Sequence, residues 1–399
     1  MRILVAFDKF KDALGAGAAC DAAARALRET LPGARLDLCP LADGGDGFES
    51  VLGSALQGSS VECTVTGPRG AWVRAGFNLV PATALPAGVR ARLPNARKNG
   101  APGSVAVVEM ARASGLQLLR PEERDPWETT SYGTGQLIRA AAEAGAAAVI
   151  LGIGGSATND LGLGALAALG LEFRDAAGGK IRPPVPRQWA RVDRIEGAVF
   201  DSIPPLLIAS DVNHPLLGSR GATRTFAPQK GLRPQTMNEM EDAFARMAAL
   251  LLEHTGKPPS LAETPGAGAA GGTAFGLLCG ARARLMSGMH LVADCLQLEN
   301  RVREADLVIS GEGRFDSTSL EGKATGELVR LARVAGKAVH LVVGTSAFAD
   351  GTLDGLRIHP LSTEGPASST QLARTGQQLA AEVARLAASI RGLPPSHCD

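Results

Sequence analysis

RILVAFDKFKDALGAGAACDAAARALRETL, residues 2–31, decides the fold. After Arg2, the run Ile3 to Phe7 is continuously apolar, a polar loop follows, and ACDAAARALRETL carries an alanine-rich helical pattern. That is a β-loop-α unit. The theme returns near the other end: ADLVISGEG (305–313) precedes a helix predicted from about Leu320, and AVHLVVGTS (338–346) precedes another. Buried strands alternating with helices predict a parallel sheet covered on both faces, hence an α/β protein.

Between these ends the pattern loosens. WVRAGFNLV (72–80) alternates like a half-buried strand, and the Pro-rich stretch from Pro81 to Gly103 reads as an exposed loop, with Arg90, Arg92, Arg97 and Lys98 solvated. VAVVEM (105–110), AAVILGIGG (147–155) and PLLIASD (205–211) read as further buried strands. Helices are expected over Gln136–Ala144 and Gln235–His254. In the second of these, Met237, Met240, Phe244, Met247 and Leu251 recur at helical spacing and read as core. No internal repeat stands out.

A chain of 399 residues is long enough for its core to split, so two domains are expected. Lys plus Arg number 41 against 40 Asp plus Glu, for a net charge of +1, and aromatics are 4%. Such a chain lacks both the cationic surplus and the stacking surface that nucleic acid requires. The six cysteines show no metal spacing and read as reduced, mostly buried thiols. No stretch has the apolar length of a membrane span and the N-terminal run is too short for a signal peptide, so a cytoplasmic location is expected. A small-molecule site remains.

Five polar, glycine-rich turns carry the candidate chemistry, several of them directly after predicted buried strands, where open α/β sheets bind ligands. They are FDKFKDAL (7–14), LADGGDGFE (41–49), GIGGSATND (152–160), ASDVNHP (209–215) and SGEGRFDSTSLEGK (310–323). A sixth, PGAGAAGG (265–272), opens a helix without a clear strand before it. Its Gly266-x-Gly268-x-x-Gly271 fits the dinucleotide fingerprint, but with 49 glycines in 399 residues roughly 0.7 such matches arise by chance. A Walker A loop is absent, since Ser317 stands where its first glycine is required.

Phosphate can instead be held at helix N-termini. Thr318 and Glu321 fit a capping box, which would start a helix with Lys323 one turn in. Phosphoryl transfer also needs Mg²⁺ on hard carboxylates, a cation on the moving group, and a carboxylate for the alcohol proton. By residue type and turn position, Asp8, Lys11, Asp43, Asp211, Lys230, Arg314 and Asp316 are the candidate catalytic groups. Asp43, Asp160 and Glu312 are the metal candidates. Gly44, Gly45, Gly154, Gly155, Ser156, Gly268, Gly311, Gly313 and Lys323 are the candidates for holding ATP. His214 reads as a loop hydrogen-bonder. A nucleotide-dependent oxidoreductase and a non-catalytic hydroxy-acid sensor are the rival readings; the sensor has no use for so many acidic turns.

The chain resembles the bacterial glycerate kinases that lack a P-loop. The resemblance is carried, in order, by FDKFKDAL, LADGGDG, VTGPRG, EMARASGLQLL, TTSYGTGQL, GIGGSATNDLGLGALAALG, DVNHPLLGSRGA, FAPQKG, PGAGAAGG and SGEGRFDSTSLEGK, and it covers nearly the whole chain. It implies an ATP- and Mg²⁺-dependent kinase of D-glycerate, usually acting at the 2-hydroxyl, with the 3-hydroxyl or a related small hydroxy acid as the alternative. It also implies a flavodoxin-like parallel-sheet domain built from both chain ends, 1–71 and 290–399, and an inserted α/β domain, 72–289. The active site is expected in the cleft between them, and homo-oligomerisation is left open. Lys9, Asp46 and Thr318 stand where many members carry Ser, Glu and Gln.

Overall fold

The computed structural model describes residues 1–399 except 12, 94–96, 99–100, 321, 349–354, 362–368 and 392–399. Glu321, Cys398 and parts of the 81–103 stretch therefore lie outside the described residues. The chain forms two compact units, one of Met1–Asp43 with Val292–Asp399 and one of Gly44–Leu291.

The first unit is a five-stranded parallel sheet. Its order is Leu356–Pro360, Val339–Val343, Leu307–Gly311, Arg2–Phe7, Arg35–Leu38. Numbered within the unit this is the flavodoxin-like order 2-1-3-4-5, and it reverses direction between Arg2–Phe7 and Leu307–Gly311. Those two strands are central and paired from Ile3–Leu307 to Phe7–Gly311, which explains why both are almost wholly apolar, with Ser310 the buried exception. On one face, the helix Ala16–Thr30 packs its alanines, Cys20 and Leu27 against Leu379, Val383 and Leu386 of the C-terminal helix Ser369–Arg391. Small side chains on that face let helix and sheet approach closely.

The second unit is a six-stranded mixed sheet. Its order is Ala283–Met286, Leu206–Ala209, Ala146–Gly152, Ser104–Glu109, Trp72–Pro81, Ser59–Thr66. The first four strands are parallel and the last two form an antiparallel hairpin added at the edge. Its core is one cluster that includes Phe77, Phe173, Trp189, Phe244 and Phe275. Helix Met237–Thr255 buries Met240, Phe244, Met247 and Leu251, as their spacing predicts.

The first domain boundary, expected at residues 71/72, falls instead at Asp43/Gly44. The cause is the strand Ser59–Thr66, which pairs along its whole length with Trp72–Pro81 and so brings the preceding helix Phe48–Ala55 with it. The second boundary falls at 291/292, two residues from the expected one. The stretch 81–103 is not a plain loop: it contains the helix Ala87–Ala91, with Val89 and Leu93 buried, while Arg90 and Arg92 are exposed as expected. Among the described residues the cysteines are unpaired and mostly buried, and no helix is long and apolar enough to cross a membrane.

Candidate functional site

In the first unit, the C-terminal ends of the two central strands bring Asp8 and Glu312 together at the point where the strand order reverses. The Asp8 amide donates to the Gly311 carbonyl at 3.0 Å, which locks the two strand ends side by side. The Leu41 amide donates to the Phe7 carbonyl at 2.8 Å and so leads the chain toward Asp43. Asp8 is 5% exposed, and burial raises its pKa to about 6; Lys9 and Lys323 pull it down and Asp43 pushes it up. Glu312 is 7% exposed and is raised to about 7, again chiefly by burial and further by Asp8, against the hydroxyls of Ser319 and Thr325 and the charge of Lys323. Lys9 Nζ lies 3.8 Å from Asp43 Oδ1.

The rest of the SGEGRFDSTSLEGK turn is arranged differently from the expectation. Ser317–Leu320 is a single 3-10 turn, and the helix begins only at Ala324 with Lys323 as its N-cap residue. Lys323 is therefore at the helix start rather than one turn in, and its Nζ reaches back to Thr318 Oγ1 at 2.8 Å. Asp316 Oδ1 accepts from the Thr318 hydroxyl and amide, at 2.6 and 3.0 Å, and Oδ2 pairs with Arg314 Nε at 3.0 Å. The Thr318 hydrogen bond, first, holds the Asp316 carboxyl below its usual range. Asp316 thus shapes the turn, while Arg314 and Lys11 are exposed cations at its rim. A Cβ on Gly311 would strike the Val342 carbonyl, and one on Gly313 would lie 3.2 Å from the Lys11 amide, so both glycines serve close backbone approach.

Asp8, Asp43 and Glu312 supply hard oxygens of the kind Mg²⁺ takes. Burial first, and a neighbouring carboxylate second to it, raises the pKa values of Asp8 and Glu312, and a divalent cation would favour their charged forms. Among the described residues no group of three or more His, Cys, Asp or Glu stands close enough for an all-protein metal cage. Mg²⁺ bound through one or two carboxylates and phosphate oxygens requires none.

In the second unit the turns again gather at the C-terminal ends of parallel strands. The Gly154 amide donates to the Gly44 carbonyl at 3.1 Å, and a Cβ on Gly154 would run into the Gly45 backbone. Gly155, at φ +70°, sits where a Cβ would meet the Asp46 carboxylate. Asp211, beyond Leu206–Ala209, accepts from Ser287 Oγ at 2.6 Å and from the Met289 amide at 3.0 Å, tying together two strand-end loops.

Three sequence-based expectations change here. Asp160, a metal candidate by position, is fully buried and its oxygens accept from the Ser131 amide and hydroxyl, both at 2.7 Å, and from the amides of Gly162 and Gly164. Burial still raises its pKa, and those donors pull it back. Lys230 is not an open cation. It is 2% exposed, and its Nζ donates to Ser156 Oγ at 2.9 Å and to the Thr158 carbonyl at 2.6 Å. Burial lowers its pKa to about 7, with Asp160 opposing. Because ammonium only donates, the Ser156 oxygen is the acceptor and its own proton is left to point elsewhere. The Gly268 amide, a candidate for holding phosphate, donates to the His214 carbonyl at 3.0 Å, and the Pro215 carbonyl leaves no room for a Cβ. His214 itself is a loop hydrogen-bonder, through Nδ1 to the Arg220 carbonyl at 2.8 Å.

Glu109 was not singled out from the sequence. It ends the strand Ser104–Glu109, is 2% exposed, and its Oε2 accepts from the Gly47 amide at 3.1 Å and the Glu49 amide at 3.2 Å. Burial raises it to about 7, with Asp46 and Glu49 adding to the rise and the amides opposing. The only signal was its place at a strand end within EMARASGLQLL.

Two α/β units with carboxylates, lysines and glycine turns at their strand ends, and no P-loop, describe an enzyme of the phosphotransferase class. The comparisons agree, and the chain belongs to the glycerate kinase family, whose model matches residues 3–391. It is 37% identical over 350 residues to the glycerate kinase of Haemophilus influenzae, covering 86% of each chain. It is 36% identical over 352 residues to the glycerate 2-kinase of Escherichia coli K12, covering 86% of this chain and 84% of that one. A solved structure of a proposed glycerate kinase 2 from Salmonella typhimurium LT2 superposes with a TM-score of 0.78 at 34% identity, covering 98% of both chains.

Proposed function

We propose that the chain transfers the γ-phosphoryl group of ATP to the 2-hydroxyl of D-glycerate with Mg²⁺ as cofactor. The observation that carries this reading is the buried pair Asp8 and Glu312, with Lys9 and Lys323 beside it, at the switch point of a flavodoxin-like sheet. Asp43 and Glu312 would hold the metal, which when bound neutralises charge on the phosphate oxygens. Asp8 would take the hydroxyl proton. Lys9 and Lys323 would stabilise charge on the moving group, and the exposed Lys11 and Arg314 would meet the anionic ends of the substrates.

In the second unit, the Ser156 hydroxyl, backed by Lys230, and the backbone of Gly44, Gly45 and Gly155 would hold a phosphate or carboxylate. Asp211 would fix the loop geometry beside them. The 2-hydroxyl is favoured by the name of the Escherichia coli relative, and a glycerate substrate by the names of both relatives.

The test is ADP release by purified protein with ATP, Mg²⁺ and D-glycerate, with enolase added to convert 2-phosphoglycerate onward. Signal in the enolase arm supports the reading. ADP release without that signal moves the reaction to the 3-hydroxyl, and no ADP release with any small hydroxy acid defeats the kinase reading.

A further inference from the structure

The turn that carries Gly44, Gly45 and Asp46 is held in an unusual backbone path, with φ of +91° at both Gly44 and Gly47. Gly47 is also the N-cap residue of the helix Phe48–Ala55, and it has no side chain with which to cap it. The missing acceptor arrives from a neighbouring strand. Glu109 Oε2 takes the Gly47 and Glu49 amides, two of the donors that a helix start leaves without intrahelical partners.

Those amides could in principle receive a phosphate instead. Two observations decide against it: both are already engaged, and a second anion there would face Glu109 together with Asp46 and Glu49, whose charges already add to the rise in the Glu109 pKa that burial begins. The amides are therefore used to pin the turn. Its other end is fixed separately, by the Gly154 amide on the Gly44 carbonyl.

We propose that Glu109 is a positioning residue, which through the Gly47 and Glu49 amides fixes the turn that presents Gly44, Gly45 and Asp46. The inference rests on the reading above that this turn contributes to phosphoryl transfer. Since the task is to accept two hydrogen bonds at a fixed reach, glutamine meets it and the shorter aspartate does not.

The experiment compares wild type with Glu109→Ala, Glu109→Gln and Glu109→Asp, measuring kcat and KM for glycerate kinase activity and amide hydrogen exchange across residues 44–50 without substrates. In E109A we expect faster exchange at Gly47 and Glu49 and a kcat about 10–100-fold lower, the size usual for residues that orient a site from behind. E109Q restores both to near wild type. Wild-type kcat and protection in E109A would overturn the proposal, and so would an E109Q as impaired as E109A. Should E109A fail to fold, the same decision rests on E109D, which must show the loss, against E109Q, which must not. If the wild type phosphorylates no glycerate, the functional reading fails while the exchange comparison still decides the positioning role.

Discussion

Asp8 and Asp160 are both buried aspartates on polar turns, and their partners differ in kind. Asp160 has its oxygens filled by Ser131, Gly162 and Gly164, so it is a structural acceptor. Asp8 accepts from its neighbouring Lys9 amide at 2.7 Å and otherwise meets charges: Lys9, Asp43, Lys323 and, through Glu312, another carboxylate. Asp8→Asn is expected to lower kcat about 10²–10⁴-fold, the usual weight of a proton-accepting carboxylate, with little change in the unfolding transition. Asp160→Asn puts an NH₂ group among donors and is expected to cost about 1–3 kcal/mol of stability in denaturant unfolding, leaving kcat of the folded fraction close to wild type. Equal effects of the two substitutions on kcat would refute this division.

At the scale of elements, the turns work because backbone meets backbone. Gly154 lies so close to Gly45 that Gly154→Ala must push the two turns apart, and a loss of at least about 10² in kcat/KM is expected from a displacement near 1 Å, with unfolding changed far less. An unchanged kcat/KM would separate these turns from the chemistry. The central strands were legible from sequence because Arg2–Phe7 and Leu307–Gly311 are buried on both faces and so read as apolar runs. Ser59–Thr66 was missed because it is an edge strand, exposed at Ser59, Ser60, Glu62 and Thr64, which interrupts any apolar signal. The late start of the helix Ala324–Val334 was hidden by a capping pattern that competes locally with a 3-10 turn. Residue type and strand-end position single out Asp8, Asp43 and Glu312, and the structure sets Asp8 and Glu312 at adjacent strand ends. Type and position could not separate Asp160 or Lys230 from an open site, because burial behind a loop leaves no mark in the motif itself.

Across the whole molecule, buried groups with shifted pKa values set how stability depends on pH. Glu109 and Glu312 are raised from 4.5 to about 7 and Asp8 from 3.8 to about 6, so between those limits the folded chain holds more protons than the unfolded one. Stability therefore falls as pH rises: their contribution is complete below the unfolded values and is lost as pH climbs through about 7. Lys230 acts on the other side. Lowered from 10.5 to about 7, it binds fewer protons folded than unfolded in that range, so stability rises with pH from about 7 to 10.5. Half-exposed carboxylates with lowered pKa values, such as Glu172 and Glu196, are ionised in both states above about pH 6 and add no slope there. Glu109 and Lys230 both belong to the second unit, so their opposing limbs meet near neutrality in one body. Glu109→Gln keeps an acceptor for the amides and removes one titration. The difference in unfolding free energy, wild type minus E109Q, is then expected to decline between about pH 4.5 and 7, by at most about 3 kcal/mol, and to stay level above. Denaturant unfolding of both proteins from pH 5 to 9 measures that difference, and a curve that is flat or rises through pH 7 would show that the Glu109 carboxyl is ionised throughout.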